Sequence, residues 1–503
     1  MPQLGARLLS LGELSPEEAY DLLDRALRIA APGDERVANE SEAAAELALL
    51  CGHLPLALQI AAALLVLDRD KPVAELAESG DRLLHLDDGE RSVRAAFDLS
   101  YGRLPAEQAR LLRLLALAPG PEVTDEVLAV LDGADAPPVR VLDALSRAHL
   151  VERGSGRGRW RLHDLVRAFG VGVVEGDAGL LAEGDTARGR VLELYLRWAR
   201  AADGWLRWLP GKPAPERFGD RAGALAWLDS ERAGLVAAVQ WAREERYADT
   251  AVRLSQYLAE YLDWRRLFDD WVTVCGVARE AAHRAGNRAR EAIAWNSLGI
   301  ALRQTGRTED AIDAHIRARD LYQFVGDGYR EAFAWGSLGR ALRQTGRTEE
   351  AIEAYTRARD LFQAAGDRPR EAMAWDNLGT VLRETDRAEE SIDAHTRARD
   401  LHETAGDRHG EAMAWNNLGS ALWEAGRVEE SFEACAKALE RFRKFEDWYR
   451  AGQTLSNLAL AYQRATRPTE ARTHYLQSAD AFTRANAPAE AAQARTRAEE
   501  VTP

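Results

Sequence analysis

The chain has 503 residues, 46% hydrophobic and 29% charged, which is too long for one hydrophobic core and points to two to four globular domains. Its formal net charge of −15 repels phosphate backbones and anionic bilayers, which argues against broad nucleic-acid or membrane binding unless a local basic patch reverses the field. Cys51, Cys275 and Cys435 share no close spacing, so neither a disulfide framework nor a metal knuckle is expected, and no apolar run approaches the ~18 residues of a membrane helix; a cytoplasmic location follows.

Residues 1–88 read as mostly helical. The apolar stretch Leu8 to Leu11 is too short for a signal-peptide core. Ser15-Pro16-Glu17-Glu18 combines an N-cap, a proline at the first helical position and acids in the first turn. A second helix is expected over Glu40 to Leu50. Gly52-His53-Leu54 breaks the pattern, and Pro55 restarts it as the first residue of a helix running through Leu67.

In residues 89–175 an amphipathic helix is expected from Val139 to Leu150. Two short strands follow, Val151 to Arg153 and Arg159 to Leu162, joined by a Gly-Ser-Gly-Arg-Gly turn. Residues 176–248 form a helical connector, with Pro210, Pro213 and Pro215 marking a loop inside it.

From 249 to 490 the chain repeats itself. The stretch Glu291 to Gly299 recurs at Glu331, Glu371 and Glu411, a period of 40 residues that signals a stacked helical array. Trp295, Leu298 and Leu302 share one face of a first helix, Gly306-Arg307 makes a turn, and Ala311, His315 and Ala318 line the inner face of a second helix. Degenerate units flank the four clear ones, at Leu258 to Ala278 and at Leu458 to Tyr475, for about six units, with 491–503 left as a C-terminal tail.

These repeats resemble the tetratricopeptide (TPR) family, whose Trp, Leu-Gly, large residue, Ala, large residue, Ala pattern stands at 295, 298–299, 302, 311, 315 and 318. The fold class expected is mostly α, a helical domain and a winged helix followed by a TPR α-solenoid. In TPR domains the first helices line a concave groove. That resemblance places Asn296, Arg303, Arg343, Asp376, Arg383, Asn416 and Trp423 on the face that binds a protein or peptide partner. Arg303, Arg343 and Arg383 recur once per unit. They form either a basic ladder for carboxylates or phosphates, or a solvated arginine copied by duplication. His315 and His395 are expected as packing residues, not metal ligands.

Two further motifs resemble NB-ARC proteins, a branch of the STAND signal-transduction NTPases. Cys51 to Leu58 is similar to their Gly-Leu-Pro-Leu-Ala motif, and Leu162-His163-Asp164 to their Met-His-Asp motif with leucine in place of methionine. The resemblance implies that Pro55 packs on adenine, that His163 reaches the β-phosphate of ADP, and that Asp164 positions its helix.

The Gly-x-x-x-x-Gly-Lys-Ser/Thr loop that holds phosphates is absent from the sequence, Gly211-Lys212 being followed by Pro213. The chain thus resembles the rear portion of an actinobacterial NB-ARC/TPR regulator without its nucleotide-binding core. No cofactor is expected, ADP entering only with a P-loop domain supplied by another chain. No serine elbow, His-Glu-x-x-His or paired cysteines suggest an enzyme. The expected function is a non-catalytic regulator with a TPR groove. The alternative is a DNA-binding regulator using the winged helix, where Arg153, Arg157, Arg159 and Arg161 cluster, although Arg140 and Arg147 alone mark the presumed reading helix and the bulk charge opposes direct contact.

Overall fold

A computed structural model describes residues 14–51, 53, 55–67, 70–77, 97–98, 100–208, 213–241 and 244–501. Leu8 to Leu11, Gly52, Leu54, the boundary at 88/89 and Gly211-Lys212 lie outside the described residues. The chain divides into two compact units, Met1–Trp241 and Ala242–Pro503.

The first unit opens with α1 (Pro16–Ala30), α2 (Arg36–Asn39), α3 (Ser41–Leu50) and α4 (Pro55–Leu67). Ser15 Oγ accepts from the Glu18 amide at 3.2 Å and the Glu18 carboxylate accepts from the Ser15 amide at 2.9 Å, a reciprocal cap that satisfies two otherwise orphaned donors. Leu23, Leu27, Leu47, Leu58 and Leu65 form the core of this segment. Pro55 stands at the first position of α4, where its missing amide costs nothing.

Next come α5 (Ala106–Ala116), β1 (Glu122–Thr124), α6 (Asp125–Asp132), α7 (Val139–Arg147), β2 (Glu152–Arg153) and β3 (Arg159–Arg161). The strands form an antiparallel sheet in the order β1-β3-β2, with Trp160 opposite both Val123 and Arg153. Trp160 is fully buried and its Nε1 donates to Asp125 at 2.9 Å, which pins the sheet to the start of α6. The helix expected to reach Leu150 stops at Arg147 because His149 turns into the left-handed region at φ 57°.

The unit closes with α8 (Asp164–Glu175), α9 (Ala178–Leu206) and α10 (Arg221–Gln240). The last two, α9 and α10, read from the sequence as a separate connector, are bound to what precedes them. Arg190 donates to the Val130 and Leu131 carbonyls at 2.8 and 2.6 Å, and Arg110 joins Asp132 to Glu183. Arg217 grips Glu126 through two 2.7 Å bonds. The compact unit therefore runs on to Trp241, and the rest of the 176–248 segment begins the second unit.

The second unit is a stack of helical hairpins: α11 (Ala248–Trp264) with α12 (Phe268–Arg284), α13 (Arg288–Gln304) with α14 (Thr308–Val325), and α15 (Gly328–Gln344) with α16 (Thr348–Ala364). It continues with α17 (Arg368–Glu384) and α18 (Ala388–Ala405), α19 (Arg408–Glu424) and α20 (Val428–Lys444), and α21 (Trp448–Arg464) and α22 (Pro468–Arg484). Small residues set the spacing within a hairpin. A Cβ at Gly339 would lie 3.0 Å from the Tyr355 ring, and one at Gly379 2.8 Å from the His395 imidazole. Between hairpins, Arg319 stacks on Trp335 at 4.7 Å, Arg359 on Trp375 at 4.5 Å and Arg399 on Trp415 at 4.7 Å, so each tryptophan carries a cation from the preceding unit. Glu389, read as part of a solvated face, is exposed and lies 3.5 Å from Arg427, while Glu390 pairs with Arg387 at 2.6 Å.

Residues 491–500, expected as tail, are helical. They belong to α23 (Pro488–Glu500), whose Ala491 and Ala494 pack on Ala479 and Phe482 and whose Ala498 packs near Tyr475. A half-unit that covers the last hairpin's apolar face is what a terminal repeat requires.

The turn after each first helix needs a left-handed residue, supplied by Gly306, Gly346 and Gly426 but by Arg266, Asp386 and Thr466 in the other three. A β-branched residue at φ 57° is strained. Thr466→Gly is therefore expected to stabilise the unit by about 1 kcal/mol, read as a raised unfolding midpoint in denaturant, with the slope unchanged.

Candidate partner-binding groove

The first helices α13, α15, α17, α19 and α21 present one polar face, and the residues chosen from the sequence divide on it. Three turn toward neighbouring helices. Asn296 Oδ1 lies 3.1 Å from His315 Nδ1, and Asp376 Oδ1 lies 3.0 Å from His395 Nδ1 with Oδ2 3.5 Å from His402 Nε2. Asn416 Oδ1 accepts from Thr454 Oγ1 at 2.8 Å while its side chain still borders a 360 Å³ cavity with Tyr449, Gln453 and Arg497.

The arginine ladder is mostly closed. Arg343 pairs with Glu384 at 2.9 Å and Arg383 with Glu424 at 2.6 Å, each partner belonging to the next first helix. Such half-exposed pairs add little stability but neutralise the cations. Arg303 differs, since the matching position is Gln344; it makes no ion pair among the described residues, and burial together with Arg340 nearby lowers its pKa. Trp423 lines a 290 Å³ cavity with Arg383, Ser420, Glu424, Asn457 and Arg464.

The row one residue further along each helix was not singled out from the sequence. Asn377 and Asn457 line cavities of 90 and 290 Å³, Ser337 joins the first of these, and Asn417 continues the row. Adjacent helical positions point about 100° apart. The deciding signal was the histidine of the second helix, which captures the residue at 296 or 376 and leaves 297 or 377 to face out.

The captured pairs differ in charge. Burial, reinforced by Arg303 and Arg340, pushes the His315 pKa down to about 3, so this imidazole is neutral opposite Asn296. Two units later, burial opposes ionisation of Asp376 and His402, yet the hydrogen bonds of His395 and His402 to Asp376, and the carboxylates of Asp376 and Asp407 beside His402, win. The carboxyl is held below the usual carboxylate range and the imidazole above its ordinary value.

In the first unit, His163 caps α8, its Nδ1 accepting from the Leu165 amide at 3.3 Å, which leaves an exposed Nε2–H able to donate to an anion. Pro55 is half-buried at the start of α4. The wing arginines are largely engaged: Arg153 with Asp143 at 2.8 Å and over the Trp160 ring at 3.9 Å, Arg161 with Glu152 at 2.6 Å, and Arg159 with Ser230 Oγ at 2.7 Å.

Residues 290–364, 330–404, 370–429 and 410–484 match the tetratricopeptide repeat family. Among curated proteins, the chain is similar to regulatory protein AfsR of Streptomyces griseus, 34% identical over 333 residues, 63% of this chain and 33% of that protein. It is also similar to regulatory protein AfsR of Streptomyces coelicolor, 36% identical over 252 residues, 47% of this chain and 25% of that protein. A putative HTH-type transcriptional regulator of Mycobacterium tuberculosis is 29% identical over 258 residues, 48% of this chain and 27% of that protein. The chain thus spans between a quarter and a third of the length of these curated relatives. Among solved structures, a STAND protein with a tetratricopeptide repeat sensor from Pyrococcus horikoshii superposes with a TM-score of 0.41 and 16% identity, over 97% of this chain and 72% of that one. A Rap protein complexed with competence and sporulation factor gives 0.39 and 14% identity, over 67% and 92%.

Proposed function

We propose that this chain is a non-catalytic regulatory module whose hairpin array binds a protein or peptide segment along its first-helix face. The observation that carries this reading is the row Ser337, Asn377, Asn417 and Asn457, the first three half-buried and the last exposed, with cavities beside Ser337, Asn377 and Asn457. Side-chain amides donate and accept at once, which suits the backbone of an extended segment. The similarity to AfsR supports a regulatory setting, and with it an indirect part in transcription.

The first unit supports a derivation from a nucleotide switch. The order helix, strand, helix, helix, strand, strand around a three-stranded antiparallel sheet is that of a winged helix. The free Nε2–H of His163 suits a phosphate oxygen, and Pro55 would flank the adenine, with ADP held only alongside a P-loop domain from another chain. Direct duplex binding is the weaker reading, because local carboxylates already neutralise Arg153 and Arg161.

The test is selection of a displayed random peptide library on the full chain. Enriched peptides should lose at least tenfold in affinity with the triple change Asn377→Ala, Asn417→Ala and Asn457→Ala. They should be unaffected by Glu349→Ala with Glu389→Ala on the second helices. A library that yields no binder, or binders indifferent to the triple change, would overturn the groove reading.

A further inference from the structure

The first helices differ at one groove position. Asn296, Asp376, Asn416 and Ser456 align with Gly336. The second-helix residue opposite Asn296 and Asp376 is a histidine, but opposite Gly336 it is Tyr355, whose longer ring takes up room the imidazole leaves. Gly339 is the glycine that abuts the phenol, whereas Gly336 leaves a hole: a Cβ there meets no atom within 4 Å.

That hole is a 90 Å³ cavity lined by Phe333, Tyr355, Phe362 and Met373. Phe333 and Phe362 hold each other edge to face at 5.1 Å, which keeps the lining rigid without any ligand. Two arginines border it, Arg340 and Arg370, the latter 5.0 Å from the Phe333 ring. Both are exposed, and neither makes an ion pair among the described residues, in contrast to Arg343 and Arg383 on the same face. An apolar socket is thus flanked by uncompensated positive charge in a chain that is acidic overall.

We propose that this cavity is the specificity pocket for an acidic linear peptide. One aromatic or other large apolar side chain enters the socket in the place Gly336 vacates, and carboxylates before and after it pair with Arg340 and Arg370. The arrangement divides the work as binding hot spots do, an anchor in a pocket and charges at its rim. The proposal rests on the groove reading above and names the part of the groove that selects the ligand.

Three labelled probe peptides test it by fluorescence anisotropy on the full chain: Glu-Asp-Glu-Phe-Glu-Asp-Glu, the same peptide with serine for phenylalanine, and the same with lysine for every acid. The first should bind at least tenfold more tightly than the other two. Gly336→Leu, which fills the socket, and Arg340→Glu should each cost it at least tenfold with a thermal melt that matches the parent chain, while Glu389→Ala on a second helix outside the socket leaves its affinity unchanged. No binding of the first probe, or binding indifferent to its central residue or to Gly336→Leu, overturns the pocket. If library-selected peptides then still respond to the triple asparagine change, the groove reading survives alone; if they do not, both fall.

Discussion

Asp376→Ala is expected to destabilise the array by about 3 kcal/mol near pH 5.5, because it removes the carboxylate that serves His395 and that His402 shares with Asp407, 3.0 Å from its Nδ1. His395 is fully buried, so solvent does not replace its lost acceptor, while His402 keeps only Asp407. The penalty should follow a bell in pH. The Asp376 carboxyl is held below its ordinary range, so its contribution is present above that range and lost as pH falls through the folded value. His402 is raised, so its contribution is full below the ordinary imidazole range and lost as pH rises through the folded value. The maximum cost therefore lies between about pH 4.5 and 6.5. Asp376→Asn is the discriminating companion, because it recreates the neutral pairing of Asn296 with His315 and should flatten the bell while costing less. Denaturant unfolding of both variants from pH 3 to 9 checks this, and a penalty that does not vary with pH would sink the ionic account.

Gly379→Ala should cost about 2 kcal/mol although alanine is the better helix former, since overpacking a closed interior outweighs propensity. Its Cβ would lie 2.8 Å from His395 Cε1 and Nε2, and that ring is fully buried and tied to Asp376. The hairpin has to spread. In a stacked array each unit leans only on its neighbours, so the loss should appear as early melting of the hairpin around Gly379 and not as a uniform shift. Gly336→Ala is the internal reference: its Cβ has open space, so the same chemical change should gain about 0.5–1 kcal/mol. Hydrogen exchange resolved by peptide separates the two outcomes.

The hairpin register was legible because it depends on residue types that recur: tryptophan between units, glycine against a large ring, alanine where helices touch. Which side of the first helix faces outward was legible only to within one residue. Position 296 or 297 is chosen by what the second helix holds, and a polar side chain beside a buried histidine is captured by it. The closure of the arginine ladder was written in the sequence as well, in Glu384 and Glu424 standing 41 residues beyond Arg343 and Arg383. A period of 40 draws the eye to equal positions and hides a partner offset by one. The last helix is hard to read from sequence because Ala491, Ala494 and Ala498 keep helical spacing with no large apolar residue to announce a buried face. The binding of α9 and α10 to the sheet-bearing segment rests on arginines reaching backbone carbonyls, which no local pattern encodes.

The offset of those ion pairs carries a consequence for how such an array changes over generations. Arg343 meets Glu384, and Arg383 meets Glu424, through the same separation, and the arginine-on-tryptophan stacks repeat in step with them. Excising one 40-residue unit would bring Arg343 against Glu424 across a seam chemically the same as the two it replaces. Recombination within the gene can therefore lengthen or shorten the array by whole hairpins without leaving a mismatched junction. The unit holding Gly336 would move along the array as a single inherited cassette.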